Sequence, residues 1–109
     1  MAGALTASTT NFPTFTTPQW YPVTLVNGTT AAIAGVANQH IRVYKIILAA
    51  ASTVSATFLD GGNAFTGAMP YTGMALDLSD TPFICSAGNN FNITCTGNSG
   101  GTIFASIGT

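Results

Sequence analysis

Six side chains in this sequence supply carboxylate, basic or imidazole groups, His40, Arg42, Lys45, Asp60, Asp77 and Asp80, and Cys85 and Cys95 add two thiols. General acid-base work needs one such group tuned in a pocket beside a partner. Asp77 and Asp80 are the only closely spaced carboxylates. The alternation of residues 74–79 puts Asp77 on the outside of a strand, and Asp80 falls in a turn before Pro82, so both read as solvated or turn-stabilising.

Asp60 precedes Gly61-Gly62 and is expected to cap a turn, since no further oxygen ligands follow at a calcium-loop spacing. His40 has no Ser, Asp or Cys at a triad or metal spacing, so it reads as a strand-entry residue at the surface or a subunit contact. Cys85 and Cys95 lack a His partner for zinc. If residues 83–85 and 91–95 form a hairpin pivoting near Asn90, a cross-strand disulfide is the alternative to two buried thiols acting as small hydrophobes. Two buried thiols are the adopted reading, the one expected of a protein made and assembled in a reducing cytoplasm. Gly61-Gly62 and Gly100-Gly101 open no helix and cradle no phosphate. No catalytic residue, metal site or cofactor is expected, and the chain reads as a non-enzyme.

The elements that hold these residues are pleated. Charged residues make up 5% of the 109 residues, against about 25% in an ordinary domain, while 47% are hydrophobic. The polar surface is therefore built from neutral Thr, Ser, Asn and Gly, and β-branched threonine fits a strand better than a helix. A net charge of -1 offers no field for nucleic acid and little repulsion between copies, so self-association is expected and nucleic acid is not. No basic residue precedes Arg42, and no apolar run reaches the roughly 18 residues that span a bilayer, so neither a secretory leader nor a membrane partner is expected.

Residues 1–20 read as an extended N-terminal arm carrying Phe12, Phe15 and Trp20 among Thr, Ser and Pro. Residues 21–109 read as one domain of about eight short strands with turn chemistry every 8 to 12 residues or so. Asn27-Gly28 marks a tight turn. In residues 40–50, Ile41, Val43, Lys45 and Ile47 share one phase and Arg42, Tyr44, Ile46 and Leu48 the other. A β-bulge near Lys45, or burial on both faces beyond it, resolves that conflict. Residues 54–58 alternate cleanly; residues 65–71, broken by Gly67 and Pro70, read as an edge segment or crossing loop. In the last strand, Ile103, Ala105 and Ile107 facing the core would turn Phe104 outward, or the reverse register would bury it. Short antiparallel strands without helices imply an all-β antiparallel β-sandwich, with a jelly roll as first choice.

From residue 41 to residue 107, IRVYKIILAAAS followed by VSATFLDGG, a Gly-interrupted middle, FICSAGNNFNITC and a final GGTIFASIG resemble the small capsid decoration (cement) proteins of tailed bacteriophages in layout. That resemblance implies a structural virion protein, made in the host cytoplasm, that sits on the capsid surface as a homotrimer. It would stabilise contacts between major capsid subunits without catalytic residues. The expected interface residues are Phe12, Phe15, Trp20, Tyr21 and Phe104. A carbohydrate-binding jelly roll of a phage tail or host-attachment structure, stacking sugars on Trp20, Tyr44 or Tyr71, is the alternative.

Overall fold

Alternating apolar and hydroxyl side chains require extended backbone with one face buried, and the computed structural model, described over residues 17–109, consists of strands and connecting turns. In chain order these are β1 (Gln19–Leu25), β2 (Gly28–Ile33), β3 (His40–Asp60), β4 (Asn63–Ala64), β5 (Met69–Asp77), β6 (Phe83–Ile84), β7 (Phe91–Cys95) and β8 (Ser99–Gly108). The all-β, antiparallel expectation holds. Two separate sheets do not form: all eight strands join one sheet of main order β1-β8-β3-β7-β2, with β4, β5 and β6 also on β3.

β3 is the spine. The sequence divides residues 40–50 from 54–58, but Ala50, Ala51, Ser52 and Thr53 include no Gly or Pro, and the chain runs extended through them for 21 residues. The first half pairs with β8, from His40↔Gly108 to Ala49↔Gly100. The second half pairs with β7, from Ala56↔Cys95 to Asp60↔Phe91. β5 follows both halves along the other edge and skips register between Ala49 and Val54. β1 flanks β8 and β2 flanks β7, so residues 26–27 and 96–98 cross between halves where β3 bends.

The sheet thereby curls into a half-barrel. Phe58 of the second half lies 6.3 Å, centroid to centroid, from Phe83, which pairs with Val43 in the first. Inside the curl lie Leu25, Ile41, Val43, Ile46, Leu48, Phe58, Phe91, Ile93 and Ile103, all almost fully buried. Phe65 stacks on Phe83 at 4.5 Å and Phe58 on Phe91 at 6.1 Å, closing one end.

The phase conflict in β3 resolves as a bulge. Register with β8 slips between Val43 and Lys45, leaving Tyr44 as the extra residue. Ile41 and Val43 point inward before the slip, and Ile46 and Leu48 after it, while Ile47 emerges on the outside.

The hairpin joining residues 83–85 to 91–95 does not form. β6 pairs with Arg42 and Val43, and β7 lies between β2 and the second half of β3. Local pairing loses to the aromatic packing that draws Phe83 onto Phe65. The cross-strand disulfide loses its geometry with the hairpin. Cys85 Sγ sits 3.9 Å from the Asn90 carbonyl oxygen, whereas Cys95 is five residues further along the chain, roughly 16 Å of extended strand. Both cysteines are free and buried.

β5 and β1 are edge strands in this order, and each carries its proline, Pro70 or Pro22, where a missing N–H is tolerated. Two close backbone approaches require glycine: a Cβ on Gly101 would collide with the Ile47 carbonyl of β3, and one on Gly35 with the Gly88 carbonyl.

Candidate interaction face

The period of β8 fixes the outer face of the first half. Ile103 and Ala105 are buried in the curl, so Phe104 points out, as the first of the two registers requires. β1 pairs Trp20 with Phe104, and their rings stand 4.8 Å apart at 41°. The bulge turns both Tyr44 and Lys45 outward beside Phe104. The Tyr44 and Phe104 ring centroids are 6.2 Å apart, and Tyr44 Oη shares a 3.0 Å hydrogen bond with Ser106 Oγ. Ser106 is thereby buried yet satisfied. One row along, Pro22, Thr102 and Ile47 lie side by side across β1, β8 and β3. Trp20 is 48% exposed and Ile47 44%, and the half-buried rings of Phe104 and Tyr44 complete an apolar platform on this face.

The outer face of the second half is different. Thr29 of β2 bonds Thr94 of β7 through their hydroxyls at 2.7 Å, and Thr94 faces Thr57 of β3 in register. Thr96 Oγ1 accepts from the Ser55 amide at 2.8 Å. Hydroxyls already paired across strands present a neutral, hydrated surface, whereas aromatic rings held on a sheet lose little conformational entropy when covered.

Four of the other chemically capable residues, Asp60, Asp77, His40 and Cys85, have structural settings. Asp60 accepts from the Ser86 amide (3.1 Å), the Ser86 hydroxyl (3.1 Å) and Asn89 Nδ2 (2.9 Å). It thus ties the end of β3 to the 85–90 loop, across a longer span than the turn cap expected of it. Partial burial would raise this carboxyl, but the bonds from Asn89 and Ser86 and the nearby His40 outweigh it and hold the group below its ordinary value. Asp77 accepts from the Ser79 hydroxyl (2.6 Å) and amide (3.0 Å), which lower it, and so stabilises a turn as expected. His40 Nδ1 donates to the Cys85 carbonyl at 2.7 Å. Burial, reinforced by the Asp60 charge, pushes the Cys85 thiol up to about 12, so it is no nucleophile at neutral pH. Among the described residues, no three of His, Cys, Asp and Glu gather where a metal ion would fit.

Of the interface residues named from sequence, Trp20 and Phe104 meet on one face. Tyr21 points the other way and packs against the core, and Phe12 and Phe15 lie outside the described residues. Trp20 itself belongs to β1, which starts at Gln19. Tyr71 is buried, with its hydroxyl 2.6 Å from Ser99 Oγ, so its ring is closed to a sugar. Sequence reasoning missed Ile47 as an outer residue; the unresolved phase of residues 41–48 was the signal for it. In comparisons with known proteins, the chain matches no family model, no curated protein and no solved structure.

Proposed function

We propose that this chain is a non-enzymatic structural protein that packs the outer β1-β8-β3 face against other protein subunits. We further propose that its place is the outside of a tailed-bacteriophage capsid, where a homotrimer cements contacts between major capsid subunits. The observation that carries the binding reading is the Trp20–Phe104–Tyr44 cluster, continued by Ile47 on the same face. Exposed apolar patches of this kind mark interaction sites, and Trp and Tyr are among the residues that dominate interface energy. The phage assignment is supported by the layout of residues 41–107, and a two-sheet jelly roll belongs to that same resemblance. The role itself depends on the face and not on strand connectivity.

Such a protein works by burial. Each copy that covers apolar surface on two neighbouring subunits adds interface to the assembled state alone, and mass action then opposes subunit loss. A net charge of -1 leaves little repulsion to resist dense packing.

Titrating undecorated capsids of the parent phage with wild-type protein and with Trp20→Ala and Phe104→Ser variants tests this. Each variant is expected to lose about tenfold or more in affinity, the effect of a central aromatic anchor. Unchanged occupancy by both variants would remove the face from the mechanism. The carbohydrate-binding alternative retains Trp20 as an exposed ring, with Tyr44 half-buried beside it, and loses Tyr71. Glycan binding by isolated protein, without capsid binding, would favour it.

A further inference from the structure

The structure assigns Asn27 as a site of non-enzymatic modification, in which the Gly28 backbone nitrogen attacks the Asn27 side chain and converts it to aspartate or isoaspartate. Asn27 is exposed at the corner where the edge strand passes from β1 to β2, and Gly28 after it is exposed with φ at 113°. Gly28 carries no side chain, and no other group lies within 4 Å of where a Cβ would stand, so this side of the Asn27–Gly28 junction is open. Every other asparagine in the sequence is followed by a residue bearing a side chain.

Hydrogen bonding sharpens the contrast. The Asn89 carboxamide donates to Asp60, that of Asn90 accepts from the Gly35 amide, and that of Asn92 donates to the Gly61 carbonyl. Asn27 has no such side-chain bond among the described residues.

The reaction needs only water. The Gly28 amide gives its proton to hydroxide and its nitrogen bonds to Asn27 Cγ; the Cγ–Nδ2 bond breaks, and Nδ2 takes a proton and leaves as ammonia. Water then opens the cyclic imide at either carbonyl. Opening one way gives aspartate; opening the other routes the main chain through the side-chain carbon and lengthens it by one methylene. Both products add a negative charge to a chain whose net charge is -1. The longer backbone falls two residues after the fully buried Leu25, where β1 hands over to β2, and so loosens the corner that joins the two halves of the half-barrel.

The test is to hold the folded, full-length protein in mildly alkaline buffer at body temperature and follow each asparagine by peptide mass spectrometry, beside a free peptide of residues 24–31. The expected result is conversion at Asn27 in the folded protein within several-fold of the peptide rate, ahead of Asn38, Asn63 and Asn98, with a fall in melting temperature of the aged material. An Asn27→Gln variant keeps the amide and is expected to slow appearance of the acidic species by an order of magnitude. An intact Asn27 in folded protein while the peptide converts would overturn the assignment. So would prior conversion at another asparagine, or an unchanged rate in the variant.

Discussion

His40 and Asp60, the first and last residues of β3, meet on consecutive residues of one loop: His40 Nδ1 donates to the Cys85 carbonyl at 2.7 Å, and Asp60 accepts from the Ser86 amide at 3.1 Å. A strand of 21 residues brings its two ends together only if the sheet curls, so these bonds lock the half-barrel. Gly88 N to Gln39 O at 2.9 Å and Gly61 N to Asn90 O at 2.9 Å fasten neighbouring connections to the same loop.

Asp60→Ala removes three bonds to a carboxylate that is only partly buried, and is expected to destabilise the protein by about 1–2 kcal/mol after allowance for solvent screening. The pH dependence follows from the sign of the shift. Because the folded carboxyl lies below its ordinary 3.8, its contribution is complete above that value and is lost as pH falls through the lower folded value. Urea titrations across that acid range should show a steeper loss for wild type than for Asp60→Ala; parallel curves would contradict it.

Gly101→Ala places a methyl group against the Ile47 carbonyl and the Leu48 backbone and must prise β8 from β3. The expected cost is about 3 kcal/mol or more, at the upper end for overpacking. Differential scanning calorimetry reads it, and a Gly62→Ala control, whose site is open, should change little.

Cys85 and Cys95 should resist a thiol-specific reagent in the native protein and react together on unfolding, since both are buried and Cys85 is held at about 12. Oxidised glutathione should form no intramolecular bridge, and the native protein should run identically with and without reductant.

Phe58→Ala is expected to cost about 3–5 kcal/mol, because Phe58 is fully buried against Phe83 and Phe91. Trp20→Ala should cost only about 1 kcal/mol of stability through its lost pairing with Phe104. The separation matters: loss of binding in the Trp20 variant then reports the face and not the fold.

Much of the fold is legible in the residues. The alternation of 54–58 and 91–95 names the inner side chains, and the clashing phases of 41–48 leave a bulge as one of two readings, the one that forms; Asn27-Gly28 marks the break between β1 and β2 but not a hairpin, since β1 pairs with β8 and β2 with β7. What the sequence hides is pairing. Nothing local says that residues 50–53 carry a strand from one half of the sheet to the other, or that Phe83 prefers Phe65 to a hairpin with Phe91. The site shows the same division. Phe104 outward is one of two readable registers, but its contact with Trp20 depends on β1 pairing with β8, and the reading of residues 1–20 as an arm leaves Trp20 outside the strand that takes it there.

The central claim, that the Trp20–Phe104–Tyr44 face is where this chain meets other protein, is tested most directly by an image reconstruction of the native phage particle. The account predicts the half-barrel on the outside of the shell, three copies together, with that face buried against capsid subunits and the threonine face of β2 and β7 toward solvent. A particle without the chain, or one in which Trp20 and Phe104 face solvent, would contradict it.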